Sequence, residues 1–180
     1  MAIRPGGAGA RQRLVPDGAA VLIAALLLPL FCSLAHAQEL EGTWKLVMRK
    51  LPDGTTQVPP AVQGVAIWHS GLRSIVVLWH TAEGKPALAS VISTYKLSGT
   101  EYTETQSLLA VDDGSGKPPT YNLTGGTKTV PITRDGPRMA IQPPFDPPLW
   151  VFEGDKLTAT LEKATGPLTF PFVDYWERVR

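Results

Sequence analysis

Two tryptophan–histidine pairs, Trp68-His69 and Trp79-His80, close two neighbouring apolar runs, and further on Tyr102-Thr103-Glu104 sets a carboxylate among hydroxyls. Imidazole is the side chain suited to proton transfer near neutral pH and to ligating a transition metal. A metal pair would need a third ligand such as Glu83 or Glu104, and neither an H-x-H nor an H-E-x-x-H spacing occurs, so no metal or cofactor is expected. The histidines equally fit polar positions at strand ends. Glu104 shares one strand face with Tyr102 and Gln106, while Thr103, Thr105, Ser107 and Leu109 line the other. If Tyr102 points inward, the carboxylate is desolvated and can accept a proton or orient a ligand; in the opposite register it is a solvated surface glutamate. No serine stands in a G-x-S-x-G context and no glycine-rich phosphate loop is present. Asn122-Leu123-Thr124 matches a glycosylation acceptor that matters only in a eukaryotic secretory route.

The elements that must position these groups are strands. Short runs rich in Val, Ile, Thr, Tyr, Phe and Trp recur between Gly, Pro, Asp and Ser clusters, which predicts an antiparallel all-β domain. Strands are expected near 41–50, 63–69, 73–80, 87–97, 101–110, 127–133, 138–142, 148–153, 156–162 and 168–179. Pro52-Asp53-Gly54, Ser70-Gly71, Ser98-Gly99, Asp135-Gly136-Pro137 and Gly154-Asp155 supply the positive φ or preset proline angle needed where a chain reverses. Two longer connections, 112–119 and the proline-rich 143–148, read as a solvated loop and as a stiff connector or a lid at a barrel mouth.

Such a chain must bury one face of its sheet, and closing the sheet into a barrel also removes its exposed edges. Trp44, Leu46 and Met48 are expected on one side of the first strand against Lys45 and Arg49, and Phe170, Phe172, Asp174 and Trp176 on one side of the last. The run 73–79 is apolar on both faces, so a loop, a strand or a partner subunit should cover its outside.

Ahead of this domain stand Arg4, Arg11 and Arg13, an apolar run over residues 19–31 and Ala35-His36-Ala37, the order of a secretory signal. Thirteen apolar residues fall short of the roughly 20 of a membrane-spanning helix, so residues 1–37 are expected to be cleaved after Ala37, leaving no stable membrane anchor. The protein is then secreted or periplasmic. Residues 38–180 suit one domain and, without Cys32, the only cysteine, contain no thiol for disulfides or zinc sites. The chain has 17 Lys+Arg and 16 Asp+Glu, interspersed, and so lacks the basic footprint that nucleic-acid binding needs.

Three stretches carry a resemblance. Leu40, Gly42, Thr43, Trp44, Lys45 and Leu46 are similar to the glycine-x-tryptophan first strand of lipocalins, and Tyr175, Trp176, Glu177, Arg178 and Val179 to the tryptophan-x-arginine ending of bacterial lipocalin-like domains. The segment 93–104 resembles a hairpin in which those domains carry a tyrosine-threonine-glutamate triplet. The chain thus resembles the lipocalin-like families of the calycin group, although the second and third signature regions of classical lipocalins are not matched. The resemblance implies a single antiparallel up-and-down barrel of roughly 8–10 strands, its floor closed by Trp44 with a late arginine laid across the ring. Arg178 is the first choice for that arginine and Arg180 the second, and Gly42 would leave room for the packing.

The functional expectation is a binding module holding a small hydrophobic or amphipathic molecule in the open end of the barrel. Trp68, His69, Trp79, His80, Tyr102, Glu104 and Trp150 are the candidate contacts, since such pockets are mostly aromatic with a few polar groups. The alternatives are an isomerase or hydrolase with Glu104 as base and a histidine as acid, and a structural or oligomer-forming domain that pairs through the strand 73–79.

Overall fold

The computed structural model describes residues 39–165, 168 and 170–180; the signal segment expected at 1–37, its cleavage point and Cys32 lie outside them. Its strands are β1 (Gly42–Lys50), β2 (Thr56–Gln57), β3 (Val62–His69), β4 (Leu72–His80), β5 (Pro86–Leu97) and β6 (Glu101–Asp112), followed by β7 (Thr120–Asn122), β8 (Gly126–Asp135), β9 (Arg138–Ile141), β10 (Leu149–Glu153), β11 (Lys156–Leu161) and β12 (Phe172–Arg178). All except β2 and β7 form a closed antiparallel ring in chain order, and β12 returns to β1 with Trp44 opposite Arg178. The fold is the up-and-down barrel expected, and every predicted strand has its counterpart. Only β2 and β7, added to the flanks of β1 and β6, were not anticipated, being too short for alternation to register.

Alternation decides what enters the barrel. Along β3, Val62, Gly64, Ala66 and Trp68 are buried and the residues between them exposed. On β4, Arg73, Ile75, Val77 and Trp79 point inward, leaving Ser74, Val76 and Leu78 outside. Among the described residues nothing closes that outer face: Leu78 and, on neighbouring β3, Val65 are each 46% exposed. β1 departs from the expected parity. A bulge between Leu46 and Met48 inserts an extra residue, so Arg49 faces inward opposite Asp174 while Met48 moves to the outer side opposite Tyr175.

The short turns, 70–71, 98–100, 136–137 and 154–155, gather at the end where β1 begins, and the long connections gather at the other. The turn end is a packed floor. Trp44 is fully buried, donates its indole N–H to the Leu40 carbonyl at 3.2 Å, and meets Phe152 edge-on at 5.6 Å. Trp68 in turn packs edge-on against Phe152 and Trp150. Arg178 lies over Trp44, its guanidinium carbon 4.3 Å from the ring centroid, and donates to the carbonyls of Glu39 and Glu41. Arg180 instead pairs with Asp155 on the surface.

Gly42 has φ +136° and a Cβ there would come 2.7 Å from an Arg178 nitrogen, so neither backbone nor space admits a side chain. Arg178→Lys would keep the charge and lose the planar fork. It should cost about 2 kcal/mol, read as a lower denaturant midpoint with unchanged m-value.

Candidate functional site

The interior above the floor is built around two clusters of charged-type side chains, each centred on an arginine. Inward parity on β4 and β6 brings Arg73 and Glu104, both fully inaccessible to solvent, together at 2.6 Å. The register with Tyr102, Glu104 and Gln106 inside is therefore the one adopted. Arg73 donates a second N–H to Asp146, which the proline-rich loop between β9 and β10 lowers into the barrel, and Trp150 Nε1 donates to the same Asp146 oxygen at 3.0 Å. The Gln142 amide braces that loop by donating to the carbonyls of Asp146, Pro147 and Pro148. Trp68 and Trp150 flank the guanidinium at 5.7 and 5.8 Å.

Higher up, Arg49 and Asp174 make a two-point pair at 2.6 and 2.7 Å, with the guanidinium 4.1 Å from the Phe172 ring centroid. The bulge in β1 is what makes this pair possible.

Between the clusters lies a chamber of about 50 Å³ walled by Trp79, Trp150, Trp176 and Phe172, with Asp146, Arg49 and Asp174 on its surface and Pro148 and Leu168 toward the loop end. Its volume accommodates one or two waters, each of which occupies about 30 Å³ in the liquid. Two larger hollows, of about 380 and 290 Å³, lie outside: one beside the β1 bulge over β10–β12, the other along β1, β3 and β4 under Pro59.

The sequence candidates are distributed over this interior unequally. Trp79 and Trp150 wall the chamber, Trp68 belongs to the floor, and Tyr102 stacks on Tyr95 at 5.9 Å beside Glu104. The histidines lie at opposite ends, because antiparallel strands put His69 next to the turn and His80 at the loop end. His69 is exposed, 3.6 Å from Glu41, and His80 sits 3.4 Å from the Ala61 carbonyl. Neither reaches Glu104, so the expected pairing of a glutamate base with a histidine acid does not form; Arg73 takes the place beside the carboxylate. Arg73, Asp146, Arg49 and Asp174 were not among the candidates. Parity along 73–79, where Arg73 shares a side with Ile75 and Trp79, carries the signal for the first of them. Among the described residues, no group of three His, Cys, Asp or Glu side chains is placed to hold a metal ion.

Burial pushes the carboxyls of Asp146 and Asp174 above the ordinary range, with Arg73 and Arg49 respectively pulling back, and burial likewise raises the Tyr102 phenol. A folded-state value above the unfolded one means the folded chain takes up the proton first. Each aspartate's contribution is then fully present below its unfolded value near 3.8 and is lost as pH rises through the folded value. Asp146→Asn retains an oxygen for Arg73 and Trp150 while removing the buried charge. Its melting temperature should exceed that of the parent at pH 7 by more than at pH 4; a fall at pH 7 would mean that Arg73 needs both carboxylates.

No family model matches the chain, and no curated protein does. Among solved structures it is similar to a lipocalin-like protein from Bacteroides uniformis, at 15% identity over 78% of this chain and 99% of that one, with a TM-score of 0.32. The chain's own strands close in meander order into an up-and-down antiparallel barrel, the fold that the resemblance to lipocalin-like domains implies.

Proposed function

We propose that the protein is an exported binding module that holds a small apolar or amphipathic molecule in the upper half of its barrel. The observation that carries this reading is the aromatic chamber between two buried ion clusters, apolar walls with a few fixed polar groups being the usual composition of a ligand site. Export rests on the charged, apolar, Ala-x-Ala order of the first 37 residues. At about 50 Å³ the chamber is far below the roughly 300 Å³ at which ligand pockets begin, so entry requires the loop bearing Asp146 and Pro148 to swing outward. N-phenyl-1-naphthylamine should bind saturably at one site and quench tryptophan fluorescence. Ala89→Leu, which pushes an isopropyl group into the chamber wall, should abolish this while the barrel stays folded by circular dichroism. Unsaturable or absent quenching would count against the reading.

A second reading, self-association, is favoured by the outer face of β3–β5, where Val65, Ile67, Leu78 and Ile92 are each more than a third exposed, Val65 lying opposite Val76, and Ser74 standing between Ile67 and Ile92. Light scattering should then give twice the chain mass, reverting to a monomer in Leu78→Glu; a monomeric parent would sink it.

A further inference from the structure

Beneath the chamber runs a row of inward polar side chains that the barrel's own bonding leaves incomplete. Arg73 stands opposite Ser93 across β4 and β5, and Ser93 opposite Gln106 across β5 and β6, with Glu104 the next inward residue on β6. All four are at least nine-tenths buried. Arg73 Nε, Ser93 Oγ, Gln106 Nε2 and Glu104 Oε2 nevertheless have no hydrogen-bond partner among the described residues, and neither does the buried Tyr102 hydroxyl beside Glu104. A buried polar atom left without a partner is destabilising, so several such atoms gathered on three adjacent strands call for something to bond them.

Their chemistry restricts what that can be. Arg73 Nε and the Gln106 amide present N–H donors, Glu104 Oε2 presents an acceptor, and the Ser93 hydroxyl can do either. The single positive charge of Arg73 already faces Glu104 and Asp146. Whether Asp146 is ionised or protonated, the cluster keeps no net positive charge with which to hold an anion. Lys128 is opposite Glu104 across β6 and β8, but it is exposed and its ammonium lies over Phe145, 4.9 Å from the ring centroid. Asp146 both borders the chamber and bonds Arg73, so one side chain links the row to the chamber wall.

We infer that the Arg73–Ser93–Gln106 row with Glu104 is a head-group subsite for an uncharged donor–acceptor group of the amide type, and that it disfavours carboxylates. The inference rests on the binding reading above and adds the class of ligand. The amide oxygen would accept from Arg73 Nε and the Gln106 amide, its N–H would donate to Glu104 Oε2, and its apolar tail would lie in the chamber.

The test is calorimetric titration of the full barrel with octanamide, octanoate and octylamine at pH 7.5, alongside N-phenyl-1-naphthylamine as a report on the chamber alone. Octanamide should bind at least about tenfold more tightly than either charged analogue, as expected of a site whose polar groups must all be matched. Gln106→Leu should weaken octanamide about tenfold and leave the dye unaffected; Glu104→Gln, which keeps an oxygen for Arg73, should erase the discrimination against octanoate. Octanoate binding as well as or better than octanamide overturns the inference. Dye binding with equal or no affinity for the three analogues also overturns it, leaves the binding reading standing, and means that the row holds only water. If neither dye nor amide binds, both fail.

Discussion

Arg73→Met should destabilise the barrel by about 3–5 kcal/mol at pH 7, the usual cost of removing one partner from a buried ionic cluster. For a domain of this size that is a fall of roughly 10–20 °C in melting temperature. The cause is not the loss of attractive contacts as such. Met can occupy much of the volume between Trp68 and Trp150, but Glu104 and Asp146 would be left inside the barrel with no cation against them. Burial already raises the Asp146 carboxyl with Arg73 present, and removing the cation raises it further. The deficit should therefore shrink between pH 7 and pH 4.5, as Asp146 takes up its proton and no longer demands a partner. Thermal melts of parent and variant at both pH values check this. A deficit of equal size at pH 7 and pH 4.5 would mean that Arg73 acts through packing and not through charge.

Residue alternation is why so much of the barrel could be read before its structure was known. In β3 and β11 every second residue is apolar or small and is buried, so pattern and position coincide. The same rule misled wherever the chain breaks its period. The bulge in β1 is invisible in the string Leu46-Val47-Met48, yet it rotates Arg49 from the surface into the core and creates the pair with Asp174. Asp146 could not have been found at all from local pattern. It reaches the core because the loop 142–148 folds over the barrel, and that depends on where Arg73 and Trp150 are waiting for it. The two histidines are held apart for a geometric reason that was within reach. A tight turn at Ser70-Gly71 places His69 beside Leu72, so His80 must be eight rungs away, roughly 25 Å at about 3.3 Å per residue.

The upper cluster should answer mutation differently from the lower one. Arg49→Met alone strands Asp174, whose carboxyl burial has already pushed up, and should cost about 3–5 kcal/mol. Arg49→Met combined with Asp174→Leu removes both charges from a neighbourhood that already contains Phe172, Phe170 and Trp79. Exchanging a buried pair for apolar groups of similar size is often neutral or stabilising by about 1–4 kcal/mol, because the desolvation of two ions is no longer required. The double variant should thus melt at or above the parent, giving a coupling energy of several kcal/mol in the double-mutant cycle. If it does, the pair cannot be present for stability. Both residues border the chamber, so the property left for them is the polarity they give its upper wall. The double variant should then retain the apolar dye and lose affinity for amphipathic probes, separating what the barrel needs to fold from what it needs to bind. A double variant as unstable as Arg49→Met would instead make the pair part of the scaffold and confine the functional polar groups to the row around Arg73.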